Sequence, residues 1–124
     1  MKISLITPAK KRSKNGNRTT ALRWARILRD LGHKVEISVK YEGQNADLMI
    51  ALHAWRSASS IKLFRDIYPD RPLVLALTGT DINEFIRTDP KPTLKSMETA
   101  DALVCLHDLA VDVIPKKFRQ KLQV

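Results

Sequence analysis

The chain has 124 residues, 44% of them apolar and 28% charged, enough for one domain with a real core and too few for two, and a composition that excludes disordered and collagen-like classes. No apolar run approaches the roughly 20 residues that a bilayer requires, and Met1-Lys2-Ile3-Ser4 leads into a strand without a leader-type apolar region, so a cytoplasmic protein with no transmembrane segment is expected. Thirteen Lys and Arg stand against four Asp and Glu through Lys62, and nine against nine beyond it, so the whole net charge of +9 lies in the first half and implies an anionic small molecule, nucleic acid or anionic surface as partner, or a solvated basic face with none.

Ile3 to Ile6 reads as a first strand, running through Thr7 and Pro8 into the basic loop Lys10 to Asn17. Arg18 to Leu31 places Ala21, Trp24, Ala25, Leu28 and Leu31 at the i, i+3, i+4, i+7 spacing and turns Arg23, Arg26, Arg29 and Asp30 away, which predicts an amphipathic helix. Gly32 is the expected left-handed stop, and Val35 to Val39 alternates as a second strand. A polar connection over residues 41–46 precedes a third strand, Asp47 to Leu52. Ser57 to Tyr68, with Ile61 and Phe64 on one side, predicts a second helix closed by Pro69. Leu73 to Leu77 has no polar residue, the pattern of a strand buried on both faces. A turn, Thr78 to Asp81, leads into a short helical segment, Ile82 to Ile86; Asp89-Pro90-Lys91-Pro92 reads as a rigid loop and Thr93 to Thr99 as another short helix. Ala102 to Leu106 is a fifth strand containing the single cysteine, Cys105, which excludes an internal disulfide and points to a buried thiol. Asp108 to Ile114 follows as a turn or two of helix stopped by Pro115; Phe118 is a candidate anchor, and Leu122-Gln123-Val124 opens a sixth strand.

Strands alternating with helices through short connections predict an α/β fold, an open parallel Rossmann-like sheet with helices on both faces. Ligands of such sheets bind outside the carboxyl ends of the strands. By this reading that edge collects Thr7, Pro8 and the loop to Asn17, then His53, then Thr78, Gly79, Thr80 and Asp81, and finally His107 with Asp108. The first loop has one glycine, so it is neither a dinucleotide fingerprint nor a P-loop. In it Gly16 allows close backbone approach to a ligand, Asn17 is a candidate helix cap, and Arg18 offers two parallel hydrogen bonds to a phosphate or carboxylate. Asp81, beside Gly79, is the candidate to accept a proton or orient a hydroxyl, with capping of Ile82 to Ile86 as its competing role. His53 is the second catalytic candidate, against a packing or capping role, and Arg56 and Ser57 after it are candidates to cap the second helix. No His, Cys, Asp or Glu grouping has metal-ligand spacing, and His33 falls at the opposite edge.

Together Lys2-Ile3-Ser4-Leu5-Ile6-Thr7-Pro8, Gly16-Asn17-Arg18-Thr19, Ala21-Leu22-Arg23-Trp24-Ala25, Leu31-Gly32-His33, Ala51-Leu52-His53-Ala54 and Leu77-Thr78-Gly79-Thr80-Asp81 resemble the amino-terminal domain of a GT-B glycosyltransferase of the family-four type. More narrowly, they resemble the group that includes the selenosugar synthases. The resemblance covers nearly the whole chain. It implies that residues 1–124 are the acceptor-side Rossmann-like domain, incomplete and inactive alone, of a metal-independent enzyme whose donor-binding C-terminal domain is absent from this chain. It further implies a nucleotide sugar (UDP-sugar) as co-substrate, no tightly bound cofactor, and a small anionic acceptor, selenophosphate in the narrower group. Gly16, Asn17 and Arg18 would then approach the acceptor or the donor diphosphate, with His53 and the Thr78 to Asp81 turn facing the acceptor. Many family-four enzymes carry histidine after the fourth strand; here Thr78 stands there, and polarisation of the donor sugar by histidine is not carried over. A basic nucleic-acid-binding module without catalysis is the alternative, although seven aromatics without an interleaved stripe fit it poorly. A receiver-like domain would need carboxylates where Thr7-Pro8 and His53 stand.

Overall fold

The computed structural model describes residues 1–8, 16–78, 81–105 and 115–123. Strand β1 (Lys2–Ile6) is followed by helix α1 (Gly16–Asp30), β2 (Lys34–Ser38), β3 (Leu48–Leu52), α2 (Ala58–Ile67) and β4 (Leu73–Leu77). A π-helical turn (Asp81–Phe85) runs into α3 (Ile86–Thr88) and α4 (Pro90–Thr99), then β5 (Ala102–Cys105), a 3-10 segment (Lys116–Lys121) and the two-residue β6 (Leu122–Gln123). Every strand pairing is parallel, and the sheet order is β2-β1-β3-β4-β5-β6. The α/β class and the open parallel sheet are therefore as the periodicity predicts.

Alternation along the strands divides the core in two. Ile3, Leu5, Val35, Ile50, Leu52 and Ala76 pack with Ala21 and Ala25 of α1 on one face. On the other, Met49, Ala51, Leu73, Leu75, Leu77 and Leu103 pack with Ile61 and Phe64 of α2 and Met97 of α4. Burial on both sides is why these strands read as nearly unbroken apolar runs. Cys105 is buried, and Phe118 anchors the 3-10 segment in the second cluster.

The helix ends follow local chemistry, with some departures from expectation. Gly32 has φ +94°, and the His33 N–H reaches back to the Leu28 carbonyl (3.1 Å), a left-handed stop of the expected kind. Helix α1 begins at Gly16 rather than Arg18, so Asn17 lies inside the first turn and is not the cap. Asp89-Pro90-Lys91-Pro92 is not a loop: α4 starts at Pro90, because a proline in the first turn gives up an N–H that has no helical partner there anyway. Strand β2 spans Lys34–Ser38, one residue earlier than its alternation suggests. The predicted helix over residues 108–114, with Leu106 and Val124, lies outside the described residues.

A candidate anion site at the carboxyl edge

Strand order determines where a ligand can sit. The chain steps from β1 outward to β2, returns across β1 through residues 39–47, and continues from β3 in the opposite direction. Helix α1 thus covers one face while α2 and α4 cover the other, and the crevice opens where the winding reverses, between β1 and β3. The residues directly beyond those strands are Thr7 and His53, and Thr78 follows on β4 next to β3.

Two buried polar atoms at this crevice have no hydrogen-bond partner among the described residues: Thr7 Oγ1 and Arg18 Nε. Thr7 is fully buried and its N–H is spent on the Ser38 carbonyl (2.9 Å). Arg18 is 9% exposed and sits in the first turn of α1, which contains no acidic residue. An unpaired buried donor or acceptor costs about 1–3 kcal/mol, so together these two cost several kcal/mol, a sizeable part of the 5–15 kcal/mol that holds a typical domain together. A helix N-terminus adds unpaired N–H groups and partial positive charge. An anion is the kind of ligand that satisfies such donors.

The second half of the rim is built around Asp81. Its carboxylate is fully buried and accepts from the Ala54 N–H (3.0 Å, Oδ2) and the Thr78 N–H (3.1 Å, Oδ1). It therefore ties the segment after β3 to the segment after β4. With no exposed surface, this carboxylate holds backbone in place through both bonds. His53, 1% exposed, has φ 77°, a left-handed conformation that costs a non-glycine residue about 1–2 kcal/mol. Several bonds hold it there: its N–H donates to the Ala76 carbonyl (2.9 Å), its carbonyl accepts from the Ser57 N–H (3.1 Å), and its Nδ1 accepts from the Arg56 N–H (3.0 Å). Because Nδ1 accepts, the neutral ring carries its proton on Nε2. Burial pushes the imidazole pKa below its ordinary value; Asp81 opposes this and Arg56 adds to it. His53 at neutral pH is thus an uncharged ring whose Nδ1 accepts from the Arg56 N–H.

Ser57 does not cap α2 with its side chain; its hydroxyl donates to the Leu52 carbonyl instead. Among the sequence-predicted residues, Arg18, His53, Thr78 and Asp81 come to one edge, with the backbone of Gly16 and Asn17 in the opening turn of α1. Gly79, Thr80 and His107 lie outside the described residues. His33 is at the far edge, its Nδ1 3.2 Å from the Met1 amino group.

Sequence reasoning passed over Trp55, Phe85 and Asp89, which also gather at this rim. The Trp55 and Phe85 rings stack at 4.1 Å, 4° from parallel, and Trp55 Nε1 donates to Asp89 Oδ2 (3.0 Å). The available signal was an aromatic-arginine pair, Trp55-Arg56, in a connection leaving a buried strand. Concavity alone points elsewhere: cavities of about 270 and 380 Å³ lie along β1 and β2 and at their amino ends, lined by Lys2, Lys34 and Asn45. Of the three buried side-chain atoms without a hydrogen-bond partner among the described residues, Thr7 Oγ1 and Arg18 Nε follow β1, while Ser96 Oγ lies in α4. No family model matches the chain, and no curated protein matches it.

Proposed function

We propose that this chain is the acceptor-side half of a GT-B sugar transferase of the family-four type, binding an anionic acceptor at the crevice between β1 and β3. The observation that carries the reading is a pair of buried atoms with no partner among the described residues, Thr7 Oγ1 and Arg18 Nε, near the opening of a helix free of acidic residues in its first turn. Arg18 and the α1 amides would fix the phosphate or phosphate-like group of the acceptor, and Thr7 would donate to one of its oxygens. Asp81 would position the two segments that wall the other side. Neutral His53 at the wall would supply an uncharged polar ring rather than a competing cation. The nucleotide-sugar donor would occupy a second domain across the cleft, and the acceptor oxygen or selenium would attack the anomeric carbon with departure of the nucleotide diphosphate.

Groups kept unsatisfied for a ligand weaken the protein without it, so stability and binding should part company. Thr7→Val and Arg18→Met remove the unpaired atoms with little change of shape. Each is expected to leave the melting temperature unchanged or raise it, while abolishing binding of inorganic phosphate measured by calorimetry at low salt. Loss of stability with binding intact would refute the anion site. The transferase assignment is checked separately, by release of nucleotide diphosphate from UDP-sugars by the protein joined to a donor-binding domain; no release with any donor and any anionic acceptor would end it.

A further inference from the structure

We infer that Trp55, Arg56 and Asp89 form a subsite for a sugar ring carrying a phosphate, lying beside the anion site on the β3 side of the crevice. The two segments that build it are held together before any ligand arrives. The Asp81 carboxylate bonds the Ala54 N–H next to Trp55, and the left-handed His53 turns the chain so that Trp55 meets Phe85. Phe85 covers one face of the indole, His53 packs edge-on against Phe85 at 5.6 Å, and Trp55 is only half-buried, so part of the indole stays open to solvent.

Arg56 does not lie on the stack. Its guanidinium carbon is 6.0 Å from the Trp55 centroid and 5.9 Å from the Phe85 centroid. Nearly equal distances from two parallel rings place the cation beside their common edge, bordering the indole without covering its outer face. Arg56 is exposed and has no carboxylate partner among the described residues. Asp89 is exposed as well, oriented by the indole N–H through Oδ2, which leaves Oδ1 to accept hydroxyls. The electron-rich indole face attracts the polarised C–H groups of a pyranose, a carboxylate at its border accepts from ring hydroxyls, and an arginine at its border takes a phosphate through two parallel bonds. The choice of a sugar over a flat aromatic ring rests on the sugar-transfer reading; the ledge itself does not.

Trp24 and Trp55 are the only two tryptophans in the chain, so the Trp24→Phe protein reports from Trp55 alone. Titration of that protein with glucose 1-phosphate or galactose 1-phosphate is expected to shift and quench the emission saturably, and inorganic phosphate to leave it unchanged. Arg56→Gln and Asp89→Asn, each made in that background, should weaken the sugar phosphate about tenfold, the loss of one charge-assisted bond. Saturation by uridine monophosphate without a response to either sugar phosphate overturns the sugar assignment, and no response to any of them overturns the ledge. Calorimetry of inorganic phosphate with Arg18→Met keeps the two readings apart: a silent Trp55 with Arg18-dependent phosphate binding defeats only this subsite. A responsive Trp55 with phosphate binding indifferent to Arg18 defeats only the anion site.

Discussion

Replacing Asp81 by alanine removes the acceptor from two backbone donors, the buried N–H of Ala54 (3.0 Å) and the partly buried N–H of Thr78 (3.1 Å). The Ala54 donor, with no route to water, should cost about 2–3 kcal/mol when orphaned, and the Thr78 donor about 1 kcal/mol because water can replace part of the bond. The total, about 3–4 kcal/mol, corresponds to a fall in melting temperature on the order of 10 °C for a chain of this size. Asp81→Asn keeps one oxygen where Oδ2 receives both donors, at 3.0 and 3.3 Å, but turns its NH2 toward one of them; about half the loss is expected. Urea unfolding followed by far-UV circular dichroism gives the free energies, and amide hydrogen exchange reads the two donors directly, with protection at Ala54 and Thr78 falling before that of the strands. An alanine variant within about 0.5 kcal/mol of the parent would refute the clamp, since that is the scatter of surface substitutions without a partner to lose.

His53 should make stability depend on pH. Its folded pKa lies below the ordinary 6.5, so the unfolded chain takes up a proton that the native one refuses, and stability falls as pH drops below about 6.5 toward the native value. His53→Asn tolerates the left-handed backbone and removes the titration; the difference between parent and variant should shrink from pH 7 to pH 5, and a constant difference would argue against a buried neutral ring. Gly32→Ala meets open space but keeps φ +94°, so thermal unfolding should show a loss of about 1–2 kcal/mol from backbone strain alone. Arg65 donates to the carbonyls of Pro69 (2.8 Å), Arg71 (2.9 Å) and Thr99 (3.2 Å) as well as to Asp101 (2.8 Å). Arg65→Met should cost about 1–2 kcal/mol in urea unfolding, and since three of the four acceptors are neutral, 0.5 M salt should remove less than half of it.

Local patterning was enough for the class of fold. Apolar runs of five residues separated by a 3.6-residue period over Ala21, Ala25 and Leu28, with a glycine at 32, can be satisfied only by strands and a helix that share a core, and those signals act over a few residues. The same signals failed where two local rules compete. Asp89-Pro90-Lys91-Pro92 carries the residues of a rigid loop, yet Pro90 also suits a first helical turn, and packing of Thr93 and Met97 beneath it decided for helix. Asn17 was a plausible cap only while the start of α1 was unknown.

The carboxyl edge could be anticipated from residue order, because parallel strands all end on one side; its chemistry could not. Which two strands flank the reversal of winding depends on β3 joining β1 rather than β2, a pairing between residues more than forty apart in the chain. Whether a polar atom is buried and without a partner among the described residues, as with Thr7 and Arg18, depends on all the packing around it, and no short window of sequence contains that sum. The left-handed turn at His53 and the meeting of Trp55 with Phe85 across thirty residues arise in the same way. Composition and periodicity determined that this chain forms a basic, parallel α/β domain; long-range packing decided which of its polar groups are buried and which of them meet.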